Sequence, residues 1–208
     1  MTPEALLNSG LEALSLPLDG ARRDLLLEFV ALLEKWNKVY NLTAFREREL
    51  MVSHHLLDSL AILPHIAADA LADIGSGAGL PGVPLAIAKP ELDVTLIEPT
   101  DKRVAFLRQV VASLKLPNVT IVAKRVEDVE AVRRYPAIVS RAFADLRTFV
   151  ASCRHLLLPG GAFYAMKGTF PADEIAQLPA GFRVREALRI AVPFLEAQRH
   201  LIIVETVE

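Results

Sequence analysis

The 208-residue chain has one cysteine, Cys153, and one tryptophan, Trp36, and aromatic residues make up only 6% of it. A single cysteine excludes an internal disulfide framework, and no His/Cys set has zinc-finger spacing. Apolar runs are broken early: Ala61 to Ala72 contains Pro64, His65 and Asp69. No stretch approaches the roughly 20 apolar residues of a membrane span. The first basic residue is Arg22, so a basic segment followed by an apolar one, as in a secretion signal, is absent. The expectation is a soluble cytoplasmic protein. Internal repeats and low-complexity tracts are also missing. A net charge of −2 excludes a uniformly basic coat for nucleic acid.

Hydrophobic residues are 52% and charged residues 23%, with mean hydropathy +0.34. That composition excludes a disordered chain and supports one full core without staples. The charge is unevenly spread. Residues 101–170 carry 12 basic and 5 acidic side chains, a +7 block inside an otherwise acidic chain. Such a block is either a solvated face or a phosphate-binding surface.

Residues 1–69 read as helical. Asp19 caps a run with Leu25, Phe29, Leu32, Leu33, Trp36 and Val39 at three- and four-residue spacing. Near Asn41 the Asn-Leu-Thr sequence favours a stop. A second helix runs from about Glu47 to Pro64. From residue 70 short apolar runs alternate with helical patterns. Strands are expected at 70–74, 94–98, 119–122, 137–140 and 161–166, with a longer helix over 101–114. This alternation predicts a parallel sheet covered by helices on both faces. The runs 182–192 and 200–206 leave no room for a crossover helix and must pair antiparallel. The division is thus a helical extension, 1–69, and an α/β domain, 70–208, forming one compact unit.

The strongest motif is Asp73-Ile-Gly75-Ser-Gly77-Ala-Gly79-Leu-Pro81-Gly82. It follows the first strand and opens a helix, the context a nucleotide-binding loop requires. Glu98 ends the second strand, where a carboxylate can accept ribose hydroxyls. The spacing is Gly-x-Gly-x-Gly-x-x-Gly, not the dinucleotide Gly-x-Gly-x-x-Gly. Acids beside the loop would repel a pyrophosphate but suit the sulfonium and ammonium of S-adenosylmethionine. This puts S-adenosylmethionine ahead of NAD, with Asp73, Gly77 and Glu98 as candidate cofactor residues. A small NAD(P) oxidoreductase and a non-catalytic nucleotide- or RNA-binding module remain as alternatives.

Gly75-Ser-Gly-Ala-Gly-Leu-Pro-Gly82, Lys102-Arg-Val-Ala-Phe-Leu107, Ser140-Arg-Ala-Phe-Ala144, Tyr164-Ala-Met-Lys-Gly168 and Arg199-His-Leu201 together resemble the bacterial small-subunit rRNA guanine-N7 methyltransferase G family, also called glucose-inhibited division protein B. Asn41-Leu-Thr43 and His55-Leu-Leu-Asp-Ser59 match its N-terminal blocks. The resemblance implies a Rossmann-like, seven-stranded S-adenosylmethionine-dependent methyltransferase fold with an antiparallel final strand. It implies N7 methylation of one guanine, position 527 in the 530 loop of 16S rRNA, met within a small-subunit particle. It also implies a donor site lined by Gly75, Leu80, Val126, Glu127 and Arg141. Glu98 stands where some members carry Asp.

Guanine N7 is a free lone pair, so no general base is required and catalysis is by positioning. Arg141 is the candidate orienting residue. Arg141 and Lys167 each follow an apolar strand at its C-terminal end, outside which ligands bind in parallel sheets. With Lys102, Arg125 and Arg199 they would form an RNA-facing rim. His54, His55, Asp58 and Ser59 cluster on one helix, either fixing it to the sheet or shaping the base pocket. A metal would need a further ligand nearby, and none is expected. Asn41 and Thr43 either cap a helix or touch substrate. Phe143 either stacks on a base or packs in the core, and Cys153 reads as a small buried hydrophobe.

Overall fold

A computed structural model of the chain describes residues 1–141, 143 and 145–207. Ala142 and Ala144 of the Ser140–Ala144 motif lie outside the described residues. Seven strands form one sheet in the order β3-β2-β1-β4-β5-β7-β6. They are β1 Ala70–Ile74, β2 Asp93–Ile97, β3 Val119–Val122, β4 Tyr135–Ser140, β5 Leu157–Lys167, β6 Phe182–Arg189 and β7 His200–Thr206. The first five are parallel, and β7 runs antiparallel between β5 and β6. This is the expected fold, with strand ends shifted by a few residues.

Helices α1 (Pro3–Ala13) and α2 (Gly20–Tyr40) precede the sheet. A composite helix follows: α3 (Arg48–Met51), a π-helical turn over Val52–Leu57, and α4 (Asp58–Leu60). Between strands lie α5 (Gly82–Ala88), α6 (Asp101–Leu114), α7 (Leu146–Cys153) and α8 (Ala172–Ala176). Asp19 caps α2 by accepting from the Arg22 amide, and Asn41 closes it in the left-handed region, φ 48°.

Strand alternation divides the core. Leu71, Val94, Leu96, Val139, Tyr164 and Ile203 face one side, where α1, α2, α5 and α6 pack. Ala72, Ile74, Ile138, Phe163 and Val204 face the other, against α7. The first cluster is continuous from Leu6 and Leu7 through Phe29 and Leu56 to the sheet, so the helical extension and the sheet share one core. Gly10 on α1 lies directly against Leu57, where a side chain has no room. The exposed edge strand β6 carries Arg183, Arg185, Glu186 and Arg189, charges that discourage edge pairing.

Three features differ from the sequence reading. Helix α1 falls in the segment read as helical, but the sequence reading gives it no bounds of its own. The buried stripe of α2 is Leu26, Phe29, Val30, Leu33 and Asn37, while Val39 is 71% exposed; leucines on several sides of the helix left its phase open. The second helix passes through a π turn, which changes the neighbours expected from i, i+4 spacing.

Candidate functional site

Strand β1 pairs with β2 on one side and β4 on the other, and chain order reverses there. The crevice outside the C-terminal ends at such a switch point is the usual ligand position. Three adjoining clefts open along it.

The first, about 190 Å³, is lined by Ile74, Gly75, Ile97, Pro99, Lys124, Arg125, Val126, Glu127 and Phe143. Its walls are largely apolar with charged groups at the rim, a form that suits a flat heteroaromatic ring. The second, about 250 Å³, includes Leu42, Thr43, His55, Gly75, Ser76, Gly77, Leu80, Arg103 and Arg141. The third, about 320 Å³, includes Phe45, His54, His55, Asp58, Arg141, Met166, Lys167, Gly168 and Arg199. Gly75 belongs to the first and second clefts, and Arg141 and His55 to the second and third.

The glycine loop is fastened from below. Gly75 (φ 66°) and Gly77 (φ 57°) sit in the left-handed region, which disfavours other residues. The Gly75 amide donates to the Ile97 carbonyl at 2.9 Å. Glu98, 1% exposed, accepts from the Gly77 amide through one oxygen and the Thr100 amide through the other, each at 2.9 Å. Arg103 lies 3.5 Å from the same carboxylate. Glu98 therefore fixes from below the loop that both clefts share, without itself lining either. Beyond Gly77 the space is open: a Cβ there would meet only the Gly75 carbonyl, at 3.9 Å.

Asp73 does not face the clefts. It lies on the α5 side of β1, fully buried, and accepts from the Gly82 amide at 2.8 Å. Strand parity turns it behind the loop, outside the walls of the three clefts, where it starts α5. Burial holds its carboxyl up to about 7 despite that hydrogen bond and the Arg141 charge.

Asp58 organises the third cleft. Its side chain is 4% exposed and bonds Arg199 Nε at 2.8 Å and Arg141 at 3.2 Å. One carboxylate on two guanidiniums leaves a net positive charge at the cleft. Lys167 also lines it, its charge matched by Glu174 at 2.8 Å, and donates to the Phe143 carbonyl at 3.3 Å. His54 packs on Phe45 with ring centroids 4.4 Å apart, giving the cleft an aromatic wall.

His55 is held neutral. Burial, chiefly, with the Arg141 charge, lowers its pKa to about 3. Its Nδ1 lies 3.1 Å from the His54 carbonyl and must donate to it, so Nε2 accepts from the Thr43 hydroxyl at 2.7 Å. Buried Asn37 holds the same loop, accepting from the Thr43 amide and donating to the Phe45 carbonyl, both at 2.9 Å.

The other sequence candidates separate. Leu80, Val126 and Glu127 line the first two clefts. Arg125 lines the first cleft, away from the Asp58 cluster. Lys102 is exposed, donates to the Tyr40 carbonyl at 3.2 Å, and with Asn41 stands outside the walls of the three clefts. Phe143 packs beside Phe149 at 5.1 Å while also lining the first cleft. Cys153 is buried, and burial pushes its thiol pKa far up. Among the described residues no group of three or more potential ligands could hold a metal, and no helix is long and apolar enough to cross a membrane.

Sequence reasoning missed Asn37, Phe45 and Arg103. Asn37 carried a signal, being a polar residue four after Leu33 in a buried stripe. Arg103 was one of several adjacent cations, and only the turn of α6 selects it.

The chemistry of S-adenosylmethionine finds matching groups here: an apolar slot, a close-packed glycine loop whose amides at Gly75, Ser76, Gly77, Gly79 and Leu80 are already engaged internally, and Ser76 Oγ. That hydroxyl is buried in the second cleft wall and has no hydrogen-bond partner among the described residues. A family model described as rRNA small subunit methyltransferase G matches residues 22–202. The chain is 52% identical to ribosomal RNA small subunit methyltransferase G of Aromatoleum aromaticum over 206 residues, covering 97% of this chain and 98% of that protein. It is 49% identical to the protein of the same name from Chromobacterium violaceum, with 95% of each covered. Among solved structures, the mitomycin 7-O-methyltransferase MmcR superposes with TM-score 0.62 at 15% identity, covering 77% of this chain and 56% of that one, a likeness of fold alone.

Proposed function

The chain belongs to the rRNA small subunit methyltransferase G family, and from that premise we propose that it transfers a methyl group from S-adenosylmethionine to N7 of guanine 527, in the 530 loop of 16S rRNA. The observation that carries this reading is the meeting of two unlike clefts at Arg141: a glycine-loop cleft for the donor and a cationic, aromatic-walled cleft for a nucleotide.

In this reading the first cleft takes the adenine end of the donor, against Ile74, Ile97, Val126 and Phe143. Gly75, Gly77, Ser76 and Leu80 frame the methionine end. Glu98 acts first by holding the loop, and Asp73 by anchoring α5 behind it. When bound, the donor supplies an electrophilic methyl on a sulfonium centre.

The target guanine enters the third cleft, where Phe45 and His54 offer ring faces and Arg141, Arg199 and Lys167 offer cationic donors. N7 carries a lone pair and no proton, so nothing must be removed before attack. Both His55 nitrogens are already engaged and its ring is uncharged at neutral pH, which suits a wall better than a base. Arg141, positioned by Asp58, is common to donor and nucleotide clefts and orients one against the other. Orientation of this kind accounts for large rate gains without acid–base chemistry. Methylated guanine is cationic, so the net positive cleft favours release of the product over retention. Lys102, outside the clefts, belongs to the outer rim that meets phosphates of the surrounding particle. Residues 1–69 and 70–208 act as one unit, since both segments line the donor and the nucleotide clefts.

The test is labelled methyl transfer to rRNA from cells lacking the protein, presented as naked RNA and as small-subunit particles. The expected product is one N7-methylguanine, located by chain cleavage after reduction. Label at another atom, or no label in either substrate, overturns the reading.

A further inference from the structure

We propose that Phe170 is a stacking platform for a nucleotide base next to the target guanine, an inference that rests on the functional reading above. Phe170 is 51% exposed, unusual for a large apolar ring held in fixed surroundings. It stands three residues beyond Lys167, the last residue of β5, and two beyond Gly168, which lines the nucleotide cleft.

Its support is rigid. The Phe170 ring meets the His200 ring edge to face, with centroids 5.7 Å apart and planes at 71°. His200 is 9% exposed, and its Nδ1 donates to the Gly168 carbonyl at 2.8 Å. His200 pairs in register with Lys167 on one side and Arg189 on the other. Pro171 restricts the backbone of Phe170 to extended forms, and the Phe170 carbonyl accepts from the Ala172 amide at 3.1 Å. One edge of the ring is thus buttressed while a face stays open.

The flanking charges fit the same ligand. Lys167, paired in register with the supporting His200, and Arg199, its chain neighbour, both line the nucleotide cleft. Phe170 follows the strand that supplies Lys167, and an exposed aromatic face near basic side chains is an arrangement that binds unpaired nucleotides, with bases stacked and phosphates neutralised. Drawing one guanine out of its stack leaves its neighbour with a bare face. Phe170 offers that face a replacement.

Variants Phe170→Ala, Phe170→Leu and Phe170→Trp separate stacking from simple packing. The probe is a 530-loop stem-loop transcript, with anisotropy titrations across a salt series, single-turnover methylation and S-adenosylhomocysteine affinity as readouts. Phe170→Ala should weaken RNA binding roughly 5- to 150-fold, the range for loss of one base–aromatic stack. The log-log salt slope should stay at the wild-type value, since no phosphate contact is lost. Donor-product affinity and melting temperature should not move. Phe170→Trp should bind within about three-fold of wild type, and Phe170→Leu should behave like Phe170→Ala, because stacking needs a π face. Wild-type affinity in Phe170→Ala, full rescue by Phe170→Leu, or a flattened salt slope each overturns the stacking role. A wild-type protein that transfers no methyl to rRNA overturns the functional reading instead, whereas transfer by wild type with an unaffected Phe170→Ala overturns only the platform.

Discussion

Replacing Asp58 by Asn removes one negative charge from between Arg141 and Arg199 while keeping the shape. Both arginines donate to that carboxylate, at 3.2 and 2.8 Å. A hydrogen bond to a charged group contributes about 1.5–3 kcal/mol, so two give about 3–6 kcal/mol as an upper bound. Each arginine side chain is 26% exposed, and water takes up part of the loss. The expected destabilisation is therefore about 2–3 kcal/mol, less than breaking a fully buried pair. With a urea slope of about 2.5 kcal/mol per M, the unfolding midpoint drops by about 1 M. Function suffers more selectively. If orientation by Arg141 loses about 2.7 kcal/mol, kcat/KM for rRNA falls about 100-fold. S-adenosylhomocysteine affinity, set mainly by the loop and the first cleft, stays within about five-fold. The assay pairs urea titration and calorimetric titration with single-turnover transfer. A variant with the wild-type midpoint and wild-type turnover refutes the idea that Asp58 positions the two arginines.

Gly77→Arg should abolish S-adenosylhomocysteine binding in calorimetry while the protein still folds, because the added side chain projects into open space beyond the loop and its backbone needs φ 57°; retained affinity would remove the loop from the donor site. His55 should make stability fall on acidification. Its folded pKa is lowered from 6.5 to about 3, so its contribution is whole above about pH 6.5 and is lost as pH falls toward 3, with a slope of at most about 1.4 kcal/mol per pH unit. Subtracting a His55→Gln titration isolates this term, since Asp73, with its pKa raised to about 7, acts with the opposite sign and cancels in the difference; a flat difference curve between pH 6.5 and 4 refutes it. Lys102→Ala should leave donor affinity intact and flatten the salt dependence of rRNA binding by about one unit of log-log slope; an unchanged slope makes Lys102 a solvated surface residue.

The sequence was most legible where periodicity and glycine chemistry coincide. The span expected for α6 is the one found, Asp101–Leu114, because Val104, Phe106, Leu107 and Val110 give one buried phase. Both antiparallel terminal strands followed from the missing crossover. Less legible were features fixed by direction in space. Asp73 and Glu98 both lie at the C-terminal ends of neighbouring strands, yet one turns behind the loop to Gly82 and the other under it to Gly77. Arg125 and Arg141 both follow strands, yet only Arg141 reaches Asp58. The phase of α2 was obscured by Leu25, Leu26 and Leu27 in succession. Helix α1 is only eleven residues long, too short for a firm period, and its burial depends on the close approach of Gly10 to Leu57.

The nucleotide cleft draws on both halves of the chain, and that has a physical reason. A parallel sheet can offer a ligand only the ends of its strands and the loops leaving them. Those ends supply Arg141, Lys167 and Gly168, all cationic or small, and Arg199 arrives just before β7. Left alone, clustered guanidiniums would repel one another and turn into water. The extension supplies what the sheet cannot: Asp58 as a shared counter-charge, and Phe45 and His54 as an apolar wall. Asp58 lies just beyond the π turn at Val52–Leu57, which interrupts an otherwise α-helical path. One extra residue in a turn rotates everything beyond it by about 100° relative to a regular helix, so the turn sets which side of the helix Asp58 presents. π turns recur at functional sites for this reason. Thr43, His55 and Asn37 then lock the preceding loop over the glycine loop. In the proposed reading, the sheet supplies the cations of the nucleotide cleft and the extension supplies their counter-charge and the aromatic wall, so neither half builds that cleft alone.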